Sequence, residues 1–327
     1  MKWFKTTQPD DSILIYAYGP KGGFINQKGK WVIKPIFERV GKFGENGWAA
    51  AAIWLKGEYK WGFIDTTGHW VINPQFDDVW PFSENGLARV KLNDKYGYID
   101  ITGNWVINPQ FDLVCDFAEN GLAYVKLNGK WGFIDTTGNW GINPQFDDVW
   151  GFSENGLARV ELNNKYGYID TTGNWVIKPQ FDDIRNFAEN GVARVIVNGK
   201  WGYIDKTGNW VIKPQFDLAD DFAKNGMARV KLNGKWGYID KTGNWVINPQ
   251  FDDAWDFAEN GLTRVIVNGK WGCIDTTGNW VISPQYDNVV IFENTIFFKQ
   301  KGKWGIIDEK GNIVVKPQFD WVVYKHF

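Results

Sequence analysis

Cysteine and histidine are nearly absent. The 327 residues hold two of each: Cys115 and Cys273, His69 and His326. Two thiols cannot build a disulfide framework or a cysteine-rich metal cluster, and each stands in a repeat column that other residues fill elsewhere. His69 replaces a turn asparagine, so no Cys–His or Ser–His pair carries a local catalytic signature. Long apolar runs are missing too. None approaches the ~20 residues that span a bilayer. The opening MKWFKTTQPDDSILIYAYG lacks the apolar core and small-residue cleavage site of a secretory leader, so the expectation is a soluble, cytoplasmic protein with no membrane partner. A basic excess is lacking as well: 36 Lys and Arg stand against 38 Asp and Glu, which argues against a nucleic-acid partner.

Aromatic residues and glycine are plentiful: 21 Trp, 23 Phe, 12 Tyr and 37 Gly. Aromatics favour strands and glycine punctuates turns, so the mixture points to many short strands with tight connections. Internal periodicity makes this concrete. Trp61, Tyr96, Trp131, Tyr166, Trp201, Trp236 and Trp271 recur every 35 residues, each followed by glycine, and Trp304 follows 33 later. Gly22-Gly23 takes the same place upstream, with four extra residues in the alanine-rich stretch 48–60. The unit reads LARVKLNGKWGYIDTTGNWVIKPQFDD followed by a variable stretch and FAEN. The expected fold is all-β: about nine three-stranded meander modules stacked as a curved or ring-like array. No module buries enough apolar surface to stand alone. The repeat suggests a single domain over 1–327, with a cap and first strand in 1–21, repeats over 22–303 and a half-repeat cap over 304–327.

Each module divides into three strands. In the first, Ala88, Val90 and Leu92 point one way and Arg89 and Lys91 the other, the period of a half-buried strand. Asn-Gly pairs such as Asn128-Gly129 suit a two-residue type I′ turn. The second strand, KWGYID, carries a glycine at its centre (Gly62 and equivalents), where a neighbouring backbone or ring is expected to sit. Asp65 and Gly68 then form a hairpin turn, the Asp accepting a backbone N–H two residues on. The third strand, NWVIKP, is expected to end at its proline, Pro74, for want of an N–H. Phe76 and Phe82 are expected to plug the gap between modules. Trp61 and Trp70, with their equivalents, are read as the aromatic mortar.

The string KWGYIDTTGNWVIKPQF resembles the WG-repeat family, the bacterial β-repeat named for its Trp-Gly dipeptide. The likeness spans residues 21–319, with departures at Gly22, Asn26 and Ile313. It implies a β-sheet scaffold without a family-wide catalytic residue. NGKWGYIDTTGNW also resembles the aromatic cell-wall-binding repeats of surface proteins, although those are nearer twenty residues long.

The turn aspartates (Asp65 and its equivalents) form an array of identical sites, whereas catalysis needs one asymmetric pocket with tuned acidities. The expectation is therefore no enzyme. The same turns offer one carboxylate where calcium takes six to eight oxygens, and Leu113 and Leu218 break the adjoining Asp column, so neither metal nor cofactor is expected. One column varies while the frame repeats: Gly41, Trp80, Cys115, Trp150, Arg185, Asp220, Trp255 and Val290. Solenoids build partner surfaces this way, and Trp and Arg are enriched in binding hot spots. Trp80, Trp150, Arg185, Asp220 and Trp255 are therefore the candidate partner-binding residues. The partner is expected to be a protein, with a glycan as the alternative. A ladder of Arg89, Arg159, Arg194, Arg229 and Arg264, with Tyr124 in register, is read as solvated strand-face cations.

Overall fold

A computed structural model describes residues 15–18, 21–293 and 295–322. Most of the expected N-terminal cap, and His326, lie outside the described residues. Those described fold into nine antiparallel sheets, the first of three strands and the rest of four, each sheet built from consecutive strands in chain order. No helix occurs among them. By contact density the chain divides into two compact units, Met1–Asn163 with Ile169–Asn174, and Asn164–Tyr168 with Trp175–Phe327.

The all-β tandem repeat is as the sequence analysis expected, and three strands of each sheet are those read from it. In the third sheet these are Ala88–Leu92, Lys95–Ile99 and Trp105–Phe111. The fourth is a two-residue leading strand, Asp78–Val79, whose partners are Lys91 and Val90. Two residues are too few to display a period, so this segment reads as loop from sequence. Four strands per sheet is the count of a propeller blade. That is one strand more per module than the sequence reading counted.

The third strand also runs further than expected. It passes through Pro74 to Phe76, because its pairing with the second strand is bulged. Trp61 faces Phe76 and Phe63 faces Ile72, with the register shifting between them. A bulged residue needs no ladder hydrogen bond, so proline is admitted there. Gly62 lies opposite this bulge. A Cβ on it would stand 2.3 Å from the Ile72 carbonyl oxygen and 2.8 Å from the Pro74 nitrogen. The neighbour that excludes a side chain is thus backbone, one of the two alternatives read from the sequence.

The turns follow the sequence closely. Asn128 and Gly129 both have positive φ, 51° and 80°, as a type I′ hairpin requires. The Asp65 carboxylate accepts the Thr67 N–H at 2.8 Å and the His69 N–H at 3.0 Å, while Gly68 takes φ 87°.

Cores form between successive sheets. Phe63, Ile72 and Phe76 of the second sheet bury against Val79, Ala88, Val90 and Ile99 of the third. Trp105 of the third sheet meets Phe76 edge-on with ring centroids 5.7 Å apart, and the same contact joins Phe37 to Trp70 and Phe216 to Trp245. The third-strand tryptophans thus bridge neighbouring sheets. The second-strand column lacks this edge-on contact, but Trp61, half-buried and in register with Phe76 of its own sheet, also packs against the core between the second and third sheets. Phe82 packs on Phe63, centroids 4.8 Å apart, within the core between those two sheets.

Candidate functional site

From the third sheet to the eighth the variable column sits immediately after the two-residue leading strand, one residue per sheet, while Gly41 and Val290 lie within the longer leading strands Arg39–Phe43 and Asn288–Phe292; the frame holds its backbone. Trp80 donates its N–H to Arg89 O at 3.0 Å, and Cys115 bonds Tyr124 O in the same way. From inside, a buried tyrosine of the second strand of the preceding sheet donates its hydroxyl to the column carbonyl. Tyr98 bonds Cys115 O and Tyr168 bonds Arg185 O, both at 2.6 Å, and Tyr203 bonds Asp220 O at 2.7 Å. Tyr238 bonds Trp255 O likewise. Burial pushes the Tyr203 hydroxyl's pKa up, so it stays protonated and remains a donor. The bonds fix the main chain and leave the side chain free to differ.

Those side chains are placed as follows. Arg185 is exposed, 3.1 Å from Asp183 and over the Trp201 ring. Trp80, Trp150 and Trp255 are half-buried, each with one face under an arginine of the ladder. Arg89 lies 5.0 Å from the Trp80 ring centre, Arg159 3.5 Å from Trp150 and Arg264 4.7 Å from Trp255. Trp255 also stacks on Trp271 with centroids 4.7 Å apart. Asp220 is tied internally: its carboxylate accepts from Arg229 Nε at 2.8 Å and pairs with Arg229 Nη2 at 2.6 Å. Column and ladder, kept apart in the sequence reading, are therefore in contact at these positions. Trp255 and Arg264 also line a shared recess with Asp256, Val290 and Ile291.

The ladder does more than face solvent. Arg89 Nη1 donates to Val114 O at 3.2 Å and Arg194 Nη1 to Ala219 O at 2.6 Å, both in the following sheet. Arg194 also clasps the Asp221 carboxylate with two bonds of 2.7 and 3.0 Å. Such bidentate pairs are the stronger kind of charge-assisted bond. These cations staple adjacent sheets together.

A second staple escaped the sequence reading. From the second sheet on, a lysine at or near the start of the second strand pairs with an aspartate 17 residues on, just after the third strand: Lys60 with Asp77 and Lys95 with Asp112, both at 2.6 Å; in the first sheet the pair is Lys21 with Glu38. The other Asp77 oxygen accepts the Asn93 N–H at 2.7 Å, in the I′ turn of the next sheet. Asp147 does the same between Lys130 and Asn163. The Lys130 ammonium, then the Asn163 N–H, hold the Asp147 carboxyl below its usual range. Two charged columns that stay constant at a fixed spacing of 17 were the available signal.

Each structural residue singled out from sequence has its place. Asp65 and Gly68 make the turn, Gly62 and Pro74 the bulge contact, and Phe76 with the Trp70 column the inter-sheet core. Among the described residues, no group of three or more His, Cys, Asp or Glu converges to hold a metal ion, and no helix is long and apolar enough to cross a membrane.

A family model described as "WG containing repeat" matches nine consecutive segments: 23–53, 61–96, 96–131, 131–166, 166–201, 201–236, 236–271, 271–304 and 304–325. No curated protein matches the chain. Among solved structures, one titled as the eukaryotic initiation factor aligns at 12% identity, covering 94% of this chain and 95% of that one, with a TM-score of 0.40. Hsv2p of Kluyveromyces lactis aligns at 9% identity over 71% of this chain and 92% of its own, with a TM-score of 0.33.

Proposed function

The chain belongs to the WG-containing repeat family, and we propose that it is a non-catalytic scaffold that recognises a protein partner along its variable column. The observation that carries this reading is the split between main chain and side chain at that column. At four positions the carbonyl is bonded to a buried tyrosine, while the side chain it belongs to is Cys115, Arg185, Asp220 or Trp255; behind Trp80 and Trp150 the tyrosine's place is held by Phe63 and Phe133. A frame that fixes position and leaves identity open suits recognition. The half-exposed Trp–Arg pairs supply the side-chain types that dominate hot spots. Asp220, tied to Arg229, acts within the frame, so Trp80, Trp150, Arg185 and Trp255 carry the contact. The turn aspartates are each bonded into their own turn, which favours no single one as a catalytic acid or base.

The test compares baits. Immobilised wild type is set against Arg185→Ala combined with Trp255→Ala, and against a control with Gln75→Ala and Gln110→Ala on the exposed face of the third strand. Circular dichroism confirms that all three are folded. Proteins retained by wild type and the Gln control but lost with the column variant support the reading. Retention that ignores the column, or binding that appears on a glycan array instead, refutes it.

A further inference from the structure

The junctions from the first sheet through the eighth share one construction, with two halves; between the eighth and ninth sheets Ile313 replaces the tryptophan and Gly311 lies over the Val281 carbonyl instead of an isoleucine side chain. The half facing the following sheet consists of Phe63, Ile72 and Phe76 in the second sheet. The half facing the preceding sheet consists of Ile99, Gly103 and Trp105 in the third. Ile99 enters the core that holds the other three, Trp105 stands edge-on to Phe76, and Gly103 lies so close over Ile72 that a Cβ would come within 3.3 Å of it. The same turn glycine covers the same isoleucine at Gly138 on Ile107 and Gly243 on Ile212.

Among the described residues, both halves recur uncovered. In the ninth sheet the residues in register with Phe63, Ile72 and Phe76 are Ile306, Val315 and Phe319. Phe319 is 44% exposed, whereas Phe76, Phe111 and Phe181 are each 1% exposed. Ile306 and Val315 are only half-buried. In the first sheet the residues matching Ile99, Gly103 and Trp105 are Ile25, Gly29 and Trp31. Ile25 is half-buried, while Ile64, Ile99, Ile134 and Ile239 are fully buried. A Cβ on Gly29 would meet nothing within 4 Å, although its turn is intact, φ 74°. Repeats that close an array carry a polar outer face. Among the described residues, neither of these faces does.

We infer that the first sheet of one copy docks on the ninth sheet of another, repeating the internal junction: Trp31 edge-on to Phe319, Gly29 over Val315, and Ile25 against Ile306. The occupant is specified by the array itself, because each internal junction shows what covers such a face. The contact is heterologous, with different surfaces meeting, so it propagates head to tail rather than stopping at a symmetric dimer.

Two variants of the full chain test this: Trp31→Asp, which spoils the leading face, and Phe319→Asp, which spoils the trailing one. Both residues are more than 40% exposed, and thermal melts check that each variant folds. In sedimentation velocity, wild type is expected to form species larger than 37.6 kDa that grow with concentration, while each variant alone sediments as monomer. Mixed one to one, the variants should form a dimer and nothing larger, since Trp31→Asp keeps its trailing face and Phe319→Asp its leading one. A wild type that stays monomeric at every concentration overturns the inference. So does a variant that assembles as wild type does, or a mixture that stays monomeric.

Discussion

Replacing Gly132 with alanine tests whether the second-strand glycine exists because backbone fills the space of its side chain. Its Cβ would stand 2.6 Å from Ile142 O, 2.7 Å from Pro144 N and 2.9 Å from Asn143 C. The first is 0.8 Å inside the 3.4 Å at which ordinary contact begins. All three atoms are main chain in the bulge, so no rotamer change relieves the overlap and the third strand must move. Overpacking of this kind costs about 1–3 kcal/mol, and Gly132→Val should exceed the alanine variant. Gly132 has no positive φ, so the cost is steric alone. Gly199→Ala is the control: φ is 72° but nothing lies within 4 Å, so only backbone strain of roughly 1 kcal/mol applies. Thermal unfolding gives the stabilities, and amide exchange along Lys130–Ile134 and Trp140–Phe146 reports whether the damage is local. If Gly132→Ala melts with wild type, or if Gly132→Val is no worse than Gly132→Ala, the packing argument fails.

Further outcomes are expected on the same frame. Gly141 occupies a place that holds Val71, Val106 and Val176 in other sheets, and its Cβ would meet only the Leu122 Cδ2 at 3.3 Å and Phe133 O at 3.7 Å. Gly141→Val should therefore stabilise by about 0.5–1 kcal/mol, as removing a strand glycine does, seen as a raised thermal midpoint. Tyr203→Phe deletes a buried hydroxyl bonded to Asp220 O at 2.7 Å and should cost about 0.5–1.5 kcal/mol by urea titration. The Asp147 carboxyl is held below its usual range by Lys130 and Asn163, so its contribution is present above the ordinary carboxylate pKa, about 4, and is lost as pH falls through its lower folded value. Asp147→Asn should accordingly melt below wild type at pH 7, with the gap closing by pH 2–3. A gap that persists in acid would mean the ionised carboxylate is not what matters.

What the sequence made legible is what local chemistry specifies. Asn128-Gly129 announces its turn because both residues tolerate positive φ, and Asp65 announces its own because a carboxylate two residues before an N–H closes on it. Alternation in Ala88–Leu92 names the buried face. What stayed hidden depends on register. Asp78–Val79 is too short to show a period, and its strand character comes from Lys91 and Val90 across the sheet. Pro74 looked like an end because the bulge that accommodates it exists only once Trp61 is set opposite Phe76. Lys60 and Asp77 were visible as constant columns, but that they meet, and that Asp77 reaches on to Asn93, follows from strand pairing. At the candidate site, the column's variation could be read directly. Its side chains' half-burial could not, because the Arg89 and Arg264 guanidinium groups that lie over the indoles belong to a different strand.

Constant and variable residues are thus separated by mechanism as well as by position. Beside the arginine staples, inter-sheet cohesion rests on groups other than the column's side chains: the Phe76–Trp105 ring contact, the Asp77 bridge from Lys60 to Asn93, and the Tyr98 hydroxyl on the Cys115 carbonyl. A main-chain acceptor is blind to the side chain attached to it. Exchanging Cys115 for Trp or Arg therefore leaves the hydrogen bond in place. The ladder limits that freedom. Where the column holds an indole it needs a cation above it, as Arg89 provides for Trp80. Where it holds Asp220 the same cation column supplies an ion pair through Arg229. A ladder arginine can therefore serve either an aromatic or an acidic neighbour, since guanidinium stacks on rings and bonds carboxylates with the same planar group. That dual capacity lets the column change character from sheet to sheet while the frame beneath it does not.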